Sequence, residues 1–168
     1  MKKVLLLLII TIIISGCNIN NTPTSKVEEL LAKYQGLDTD IENEIEEILS
    51  DETLTIEQKK EYKELIRNQY KNMTYNIKNE EIDGDNAIIT VEIEVIDYKG
   101  AITITEDKYL GRDDYTIEEY NNDKIEELKK AKSATTYTLE IELTKNSDGD
   151  WKVNSLSNIE KKKLQGMF

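Results

Sequence analysis

The chain of 168 residues contains one cysteine, Cys17, and no histidine. Serine–histidine catalysis, cysteine–histidine catalysis and imidazole zinc sites all need a histidine, so the sequence excludes them. Any chemistry would have to use carboxylates, tyrosines or lysines. We therefore expect a protein that is not an enzyme, with no catalytic residues, no cofactor and no bound metal.

Three oxygen-bearing side chains, Asn146, Asp148 and Asp150, have the spacing of the first ligands in a calcium-binding loop. An EF-hand loop also needs a glycine at its sixth position and a glutamate at its twelfth. The chain has Trp151 and Ser157 at these positions. Asparagine, aspartate and glycine also favour tight turns, so we predict a turn between two strands here.

The aromatic composition is unusual, with nine tyrosines and a single phenylalanine. The simpler interpretation is that the tyrosines are core and boundary residues, because the ring is largely apolar. The alternative is a tyrosine-lined cavity that binds a small ligand. In such a cavity a tyrosine beside a carboxylate could transfer protons. No spacing in the sequence singles out such a pair.

The chain begins with two lysines after its methionine, and residues 4–14 are apolar except for one threonine. A charged start followed by a short apolar run is typical of a secretory signal. A transmembrane helix needs roughly 20 apolar residues, about twice the length of this run. We therefore predict a signal peptide at residues 1–16, with cleavage before Cys17.

The apolar run ends in a sequence that resembles the lipobox of bacterial lipoproteins, Ile14, Ser15, Gly16 and Cys17. The resemblance implies that a peptidase cuts after Ile14, Ser15 and Gly16, and that the Cys17 thiol carries a diacylglyceryl group. Two acyl chains are enough for stable anchoring. The polar residues that follow predict a tether, so residues 17–25 would join the lipid to the folded domain. The expected location is the extracytoplasmic face of the cell membrane.

The net charge of the whole chain is −12, from 34 acidic and 22 basic residues. It becomes two units more negative when the signal peptide and its two lysines are removed. Such a charge opposes binding to nucleic acid and to anionic lipid. We therefore expect membrane attachment through the lipid on Cys17 alone, no nucleic-acid partner, and contact with another protein or a cell-wall component.

Apolar residues recur every three or four positions in the first half of the chain, which predicts three amphipathic helices. Each starts with a capping-box pair: Ser25 with Glu28, Thr39 with Glu42, and Thr55 with Gln58. Residues 117–132 and 158–164 predict two further helices. Residues 99–116 are ambiguous, because residues 101–105 are β-branched and strand-like whereas residues 106–110 suit a helical turn.

Alternation of apolar and polar residues predicts two β-hairpins. Their strands are residues 75–82 with 87–98, and residues 137–143 with 151–153. In the second of these strands, we expect Val91 and Ile93 to face the core and Glu92 and Glu94 to face solvent. Helices followed by hairpins predict a single α+β domain at residues 26–168, with N-terminal helices packed on one face of a curved antiparallel sheet.

Both hairpins carry a resemblance to known proteins. Small lipoproteins of low-GC Gram-positive bacteria resemble this chain in the stretches YNIKNEEIDGDNAIITVEIEVIDY (75–98) and YTLEIELTKNSDGDWKVNSLSN (137–158) and in the tail LQGMF. Their outer domain is similar to the nuclear transport factor 2-like, or cystatin-like, fold. A helix usually follows the position of Tyr98 in such proteins, and this sequence departs from that pattern, because Gly100 and the β-branched residues after it disturb a helix. The resemblance implies a fold and a location, and no activity.

The sequence therefore predicts a membrane-anchored extracytoplasmic lipoprotein that acts as a non-catalytic interaction module. The alternative is a small-ligand-binding domain with a tyrosine-lined cavity. An exposed apolar patch would favour the first function, and an enclosed cavity would favour the second.

Overall fold

The computed structural model describes residues 21–168, so the predicted signal peptide and residues 14–17 lie outside the described part. This part contains six helices and four strands: α1 (Pro23–Gly36), α2 (Thr39–Ser50), α3 (Ile56–Asn72), β1 (Thr74–Asp83), β2 (Asn86–Ile96), α4 (Tyr98–Tyr109), α5 (Ile117–Lys130), β3 (Ala134–Lys145), β4 (Trp151–Val153) and α6 (Asn158–Leu164). The predicted α+β class is confirmed. None of these helices is long and apolar enough to cross a membrane.

The strands form one antiparallel sheet in the order β1-β2-β3-β4. β2 and β3 pair over their whole length, from Asn86 opposite Thr144 to Ile96 opposite Ala134. Gly84, with a φ of 60°, supplies the left-handed conformation that the two-residue turn between β1 and β2 requires. β4 pairs with only the last three residues of β3. The sheet therefore has an open edge at β1 and a partly open edge at β3.

The inner face of the sheet carries the core, in the register that the alternation predicts. Val91 and Ile93 are fully buried, whereas Glu92 is half-buried and Glu94 exposed on the outer face. α1 and α3 contact the inner face, and α3 also packs on α1, α2 and α5. The N-terminal helices thus lie on one side of the sheet.

Two helices begin earlier than predicted. Thr22 caps α1, because its Oγ1 accepts the N–H of Ser25 at 3.1 Å, and Pro23 is the first helical residue. Proline suits this position because the N–H that it lacks would have no partner inside the helix. The last three residues of the predicted tether are therefore helical. In α2 the cap is Asp38 and not Thr39.

The remaining helix predictions are confirmed for α3, α5 and α6, and the ambiguous segment is resolved in favour of a helix. α4 includes residues 101–105, so the strand-like interpretation of these residues is wrong. The physical reason is packing: one face of α4 is buried at helical spacing, through Tyr98, Ala101, Thr105 and Tyr109. The helix forms although Gly100 and the β-branched residues depart from the family pattern at this position.

Candidate functional site

Four tyrosines from α1, α3 and the start of α4 lie in the core: Tyr34, Tyr62, Tyr70 and Tyr98. The rings of Tyr34 and Tyr70 meet edge to face, with their centres 5.0 Å apart. The Tyr98 hydroxyl donates to the carbonyl oxygen of Leu65 at 3.3 Å. Burial raises the pKa of all four hydroxyls, to about 12 for Tyr98. These tyrosines are core residues, as the simpler interpretation predicts.

The segment with calcium-loop spacing forms the turn between β3 and β4. The Asn146 side-chain oxygen accepts the backbone N–H groups of Asp148 at 3.0 Å and Asp150 at 2.9 Å. Gly149, with a φ of 81°, completes the turn. The predicted turn is confirmed. Within residues 21–168, no group of three or more acidic, cysteine or histidine side chains is placed to hold a metal ion.

A second group of tyrosines lies at the tip of the hairpin formed by α4 and α5. The ring centre of Tyr109 is 4.4 Å from that of Tyr115 and 5.3 Å from that of Tyr120. The Arg112 guanidinium lies 5.2 Å from the centre of the Tyr109 ring, which is within cation–π range. An open groove of about 350 Å³ runs along this cluster.

Asp123 on α5 forms the central polar contacts of this cluster. Its carboxylate accepts hydrogen bonds from the Lys108 ammonium and the Tyr109 hydroxyl. These contacts hold the pKa of Asp123 below its usual range, and the hydrogen bond to Asp123 raises the pKa of Tyr109 to about 12. Efficient proton transfer needs a pKa near the working pH. At neutral pH this pair keeps its proton on the tyrosine, so its role is to hold the tip together.

Large apolar side chains around the tip are exposed to solvent. The exposed fractions are 88% for Ile56, 81% for Leu110, 55% for Ile117 and 37% for Tyr115. We term these four residues the tip patch. Ile56 and Ile117 are exposed although each continues the apolar spacing of its helix, because both are the first residue of a helix and have no turn before them to pack against.

The two helix starts in the tip patch are held side by side. The Gln58 side chain, in the first turn of α3, donates from Nε2 to the Glu118 carbonyl oxygen at 3.0 Å and to Asn122 Oδ1 at 2.8 Å. From the loop before α3, the Thr53 carbonyl oxygen accepts the Asn121 amide at 2.7 Å. These bonds join α3 to the first turns of α5, so the four apolar side chains belong to one end of the helical layer.

The hairpin and the N-terminus of the described chain are attached at opposite ends of the sheet. Asn21 accepts the Trp151 N–H and donates to Asp150, both at 2.9 Å, beside the turn between β3 and β4. The hairpin is inserted at the other end of β2 and β3, where the Asp97 N–H donates to the Ser133 carbonyl oxygen at 2.8 Å. A strand rises about 3.4 Å per residue, so the ends of β2 are roughly 35 Å apart.

Comparison with known proteins gives one structural likeness. No protein-family profile matches the chain, and no curated protein matches it. The chain is similar to the crystal structure of a candidate lipoprotein, YcdA, from Bacillus subtilis, with 18% sequence identity and a TM-score of 0.42. The match covers 83% of this chain and 46% of that one, so the chain spans less than half the length of YcdA.

Proposed function

We propose that the protein is a lipoprotein held on the extracytoplasmic face of the cell membrane, where it acts as a non-catalytic interaction module for another protein or a cell-wall component. The anchor is the lipid on Cys17, and the signal peptide of residues 1–16 is removed by cleavage after Ile14, Ser15 and Gly16. The support for this part is the resemblance of these four residues to a lipobox.

The single observation that supports the interaction module is the tip patch. Soluble monomers rarely expose a group of large apolar side chains, and such groups mark sites of association. Arg112 and Tyr115 lie beside or within the patch, and arginine and tyrosine are enriched among the residues that contribute most to protein interfaces. The hairpin is attached at the sheet end remote from Asn21, so a partner can reach the patch without contacting the lipid.

The non-catalytic character is proposed from the chemistry of the side chains. The sequence contains no histidine. The tyrosine–carboxylate pair of Tyr109 and Asp123 has pKa values displaced away from neutrality on both sides. The alternative of a ligand-binding domain has less support, because four tyrosines fill the core with their rings.

We also propose that the domain has a nuclear transport factor 2-like, or cystatin-like, fold. The two stretches that carry the resemblance, residues 75–98 and 137–158, coincide with the β1–β2 and β3–β4 hairpins. The helix that usually follows the first stretch is present as α4. These two correspondences support the assignment.

The anchor is tested by the mass of the mature N-terminus. Protein extracted from membranes should begin with Cys17 and carry acyl groups. Cys17→Ala should accumulate as an uncleaved precursor or be released from the membrane. A mature chain that begins at any other residue would contradict the proposed anchor and leave the interaction module to be judged separately.

The interaction module is tested with a photo-crosslinking amino acid at Leu110, introduced into the membrane-bound protein in cells. The matched control position is Ile104, which is 57% exposed on α4 but lies outside the tip patch. We expect a discrete product from Leu110 and none from Ile104. The product should be lost in Ile56→Ser or Ile117→Ser and kept in Ile159→Ser, which changes an isoleucine of similar exposure on α6. Equal products from both positions would overturn the proposal.

A further inference from the structure

The edge of β3 is only partly covered, and this leaves a stretch of strand open. β3 pairs with β2 from Ala134 to Thr144, whereas β4 pairs only with Leu143, Thr144 and Lys145. After β4 no further strand of the described chain pairs with this edge, and later residues bond to its backbone only through Asn154 and through Lys163 on α6. Residues 138–142 of β3 therefore have a strand neighbour on the β2 side only.

The backbone groups that point to this edge are identified by the two contacts at its ends. The Glu142 carbonyl oxygen accepts the Asn154 N–H at 2.9 Å, and the Thr138 carbonyl oxygen accepts from Lys163 Nζ at 2.8 Å. Peptide groups alternate in direction along a strand, so Glu140, midway between these residues, presents its N–H and C=O to the same edge. In the described part of the chain, no residue bonds to the Glu140 backbone on that side.

A groove of about 580 Å³ lies along this open edge. One wall consists of Thr138, Glu140 and Glu142, and the other consists of residues 154–157 and α6. We term it the edge groove. Leu156, which is half-buried, and Ile159, which is exposed, add apolar surface to the second wall. The groove thus offers unpaired strand backbone and apolar contact together.

The charge of the edge groove favours a basic occupant. Glu140 and Glu142 are exposed, and neither is paired with a cation among the described residues. Glu160 adds a third carboxylate, which caps α6 by accepting the Ser157 N–H at 2.6 Å. Lys163 is the cation in the lining, and its ammonium donates to the Thr138 carbonyl oxygen, so three carboxylates share the groove with one ammonium. The chain itself carries a net charge of −12, so a second copy would be repelled, whereas a cationic segment would be attracted.

The other open edge of the sheet is protected in a way that the edge groove is not. The register of β1 against β2 shifts between Ile77 and Asn79, which marks a β-bulge. Bulges and alternating charges on edge strands discourage further strand pairing. β3 has no such shift against β2 over its whole length. Strand addition is therefore favoured at β3 and opposed at β1.

We propose that the edge groove binds an extended, basic segment of another polypeptide, which adds to the sheet as a strand beside Thr138–Glu142. The main-chain hydrogen bonds come from the Glu140 peptide group and its neighbours, as in other cases of strand addition. Basic side chains of the segment meet Glu140 and Glu142, and an apolar side chain meets Leu156 or Ile159. This surface is separate from the tip patch and is tested independently of it.

The test is a titration of the full-length protein in detergent with short acetylated and amidated peptides, followed by the backbone amide signals of β3. A peptide of alternating lysine and valine should bind and shift the amides of Thr138, Glu140 and Glu142, and added salt should weaken it. The same peptide with glutamate in place of lysine should not bind. N-methylation of alternate peptide bonds should weaken binding by about tenfold or more, because it removes the donors that pair with the strand.

Variants of the protein separate the contribution of backbone hydrogen bonds to peptide binding from the contribution of the carboxylates. Glu140→Pro removes an N–H that points away from β2, so the β2–β3 pairing survives and binding should weaken by about tenfold. Glu140→Gln with Glu142→Gln should weaken binding about three- to tenfold, whereas Glu94→Gln, on the outer face of β2, should leave it within about twofold. If Glu140→Pro does not fold, the methylated peptide and the glutamine variants still decide the question.

Three outcomes would overturn the proposal. The first is equal binding of the plain and methylated peptides, which would exclude strand addition. The second is an equal loss of binding in Glu94→Gln and in the double variant Glu140→Gln with Glu142→Gln, which would indicate general attraction to an acidic surface. The third is sedimentation that detects a dimer of the protein itself, lost in Glu140→Pro, which would make a second copy the occupant.

Discussion

Gln69 and Ile96 are joined by a reciprocal pair of hydrogen bonds. Gln69 Nε2 donates to the Ile96 carbonyl oxygen at 2.8 Å, and Gln69 Oε1 accepts the Ile96 N–H at 3.1 Å. The same Nε2 also donates to the Gln165 carbonyl oxygen at 3.0 Å. Gln69 is only 1% exposed, so one buried amide joins α3, the end of β2 and the C-terminal tail.

Replacing this amide should be costly for stability. Gln69→Leu leaves the N–H and C=O of Ile96 and the C=O of Gln165 buried without partners, and each lost partner costs about 1 to 3 kcal/mol. With three groups affected, we expect the free energy of unfolding to fall by at least about 3 kcal/mol in a denaturant titration. The matched control is Gln35→Leu, which removes one bond, to the Met73 carbonyl oxygen, from a half-buried side chain. Equal losses in the two variants would contradict the role of Gln69.

The glycine beside this junction should tolerate no side chain. Gly166 has a φ of 71°, and a Cβ there would lie 2.1 Å from the Ile96 carbonyl oxygen and 2.3 Å from Gln69 Nε2. Gly149 has a φ of 81° but has open space around it. Gly149→Ala should cost only the left-handed strain of about 1 to 2 kcal/mol, and Gly166→Ala clearly more. A thermal unfolding comparison in which both variants lose the same stability would contradict this geometry.

The buried tyrosines predict a steep loss of stability at alkaline pH. Burial raises the pKa of four hydroxyls, so the folded chain holds protons that the unfolded chain releases above about pH 10. Their contribution is complete below that pH and is lost as the pH rises towards the folded pKa values. Each group costs about 1.4 kcal/mol per pH unit between its unfolded and folded pKa values, so the four together cost about 5.5 kcal/mol per pH unit.

We therefore expect cooperative unfolding shortly above pH 10, with the four tyrosinates appearing together in the ultraviolet absorbance. Tyr98→Phe removes one of these groups and should reduce the pH dependence of the unfolding free energy by about 1.4 kcal/mol per pH unit. Gradual ionisation of these tyrosines in a chain that stays folded would show that burial does not control their pKa values.

The two faces of β2 give a matched pair of neighbouring substitutions. Ile93 is fully buried, so Ile93→Ala should cost about 2 to 5 kcal/mol in a denaturant titration. Glu92 forms an exposed ion pair with Lys78 at 2.9 Å, and such pairs contribute at most about 1 kcal/mol, so Glu92→Ala should have a small effect. The reverse order would mean that the strand register is wrong.

The sheet could be predicted from the sequence, because the alternation of apolar and polar residues alone indicates which side chains of a strand are buried. The helical conformation of α4 could not be predicted in this way. Residues 101–105 favour a strand by local propensity. The helix forms because Asp97 caps it, accepting the Gly100 N–H at 2.8 Å, and because Tyr98 and Tyr109 are buried on one face. The Thr103 hydroxyl donates to the Lys99 carbonyl oxygen at 3.0 Å, a bond that lets threonine fit a helix. Tertiary packing therefore overrides propensity here.

The tip patch could not be predicted because apolar spacing does not distinguish a helix interior from its first residue. Ile56 and Ile117 continue the apolar pattern of α3 and α5, yet both protrude at the helix starts. The start of α1 was predictable in principle, because Thr22 followed by Pro23 is a helix-start signal. The edge groove depends on where residues after Val153 leave the sheet, which no local pattern specifies.

Residues 164–166 determine when folding of this domain can finish. Leu164 is fully buried, and the Gly166 carbonyl oxygen accepts the Lys99 N–H at 2.8 Å at the start of α4. A chain emerging from a ribosome or a secretion channel exposes its N-terminus first, so α3 and β2 appear long before the tail that completes the Gln69 junction. The native core therefore closes only after residues 164–166 have emerged, and until then the exposed core residues are accessible to chaperones and proteases.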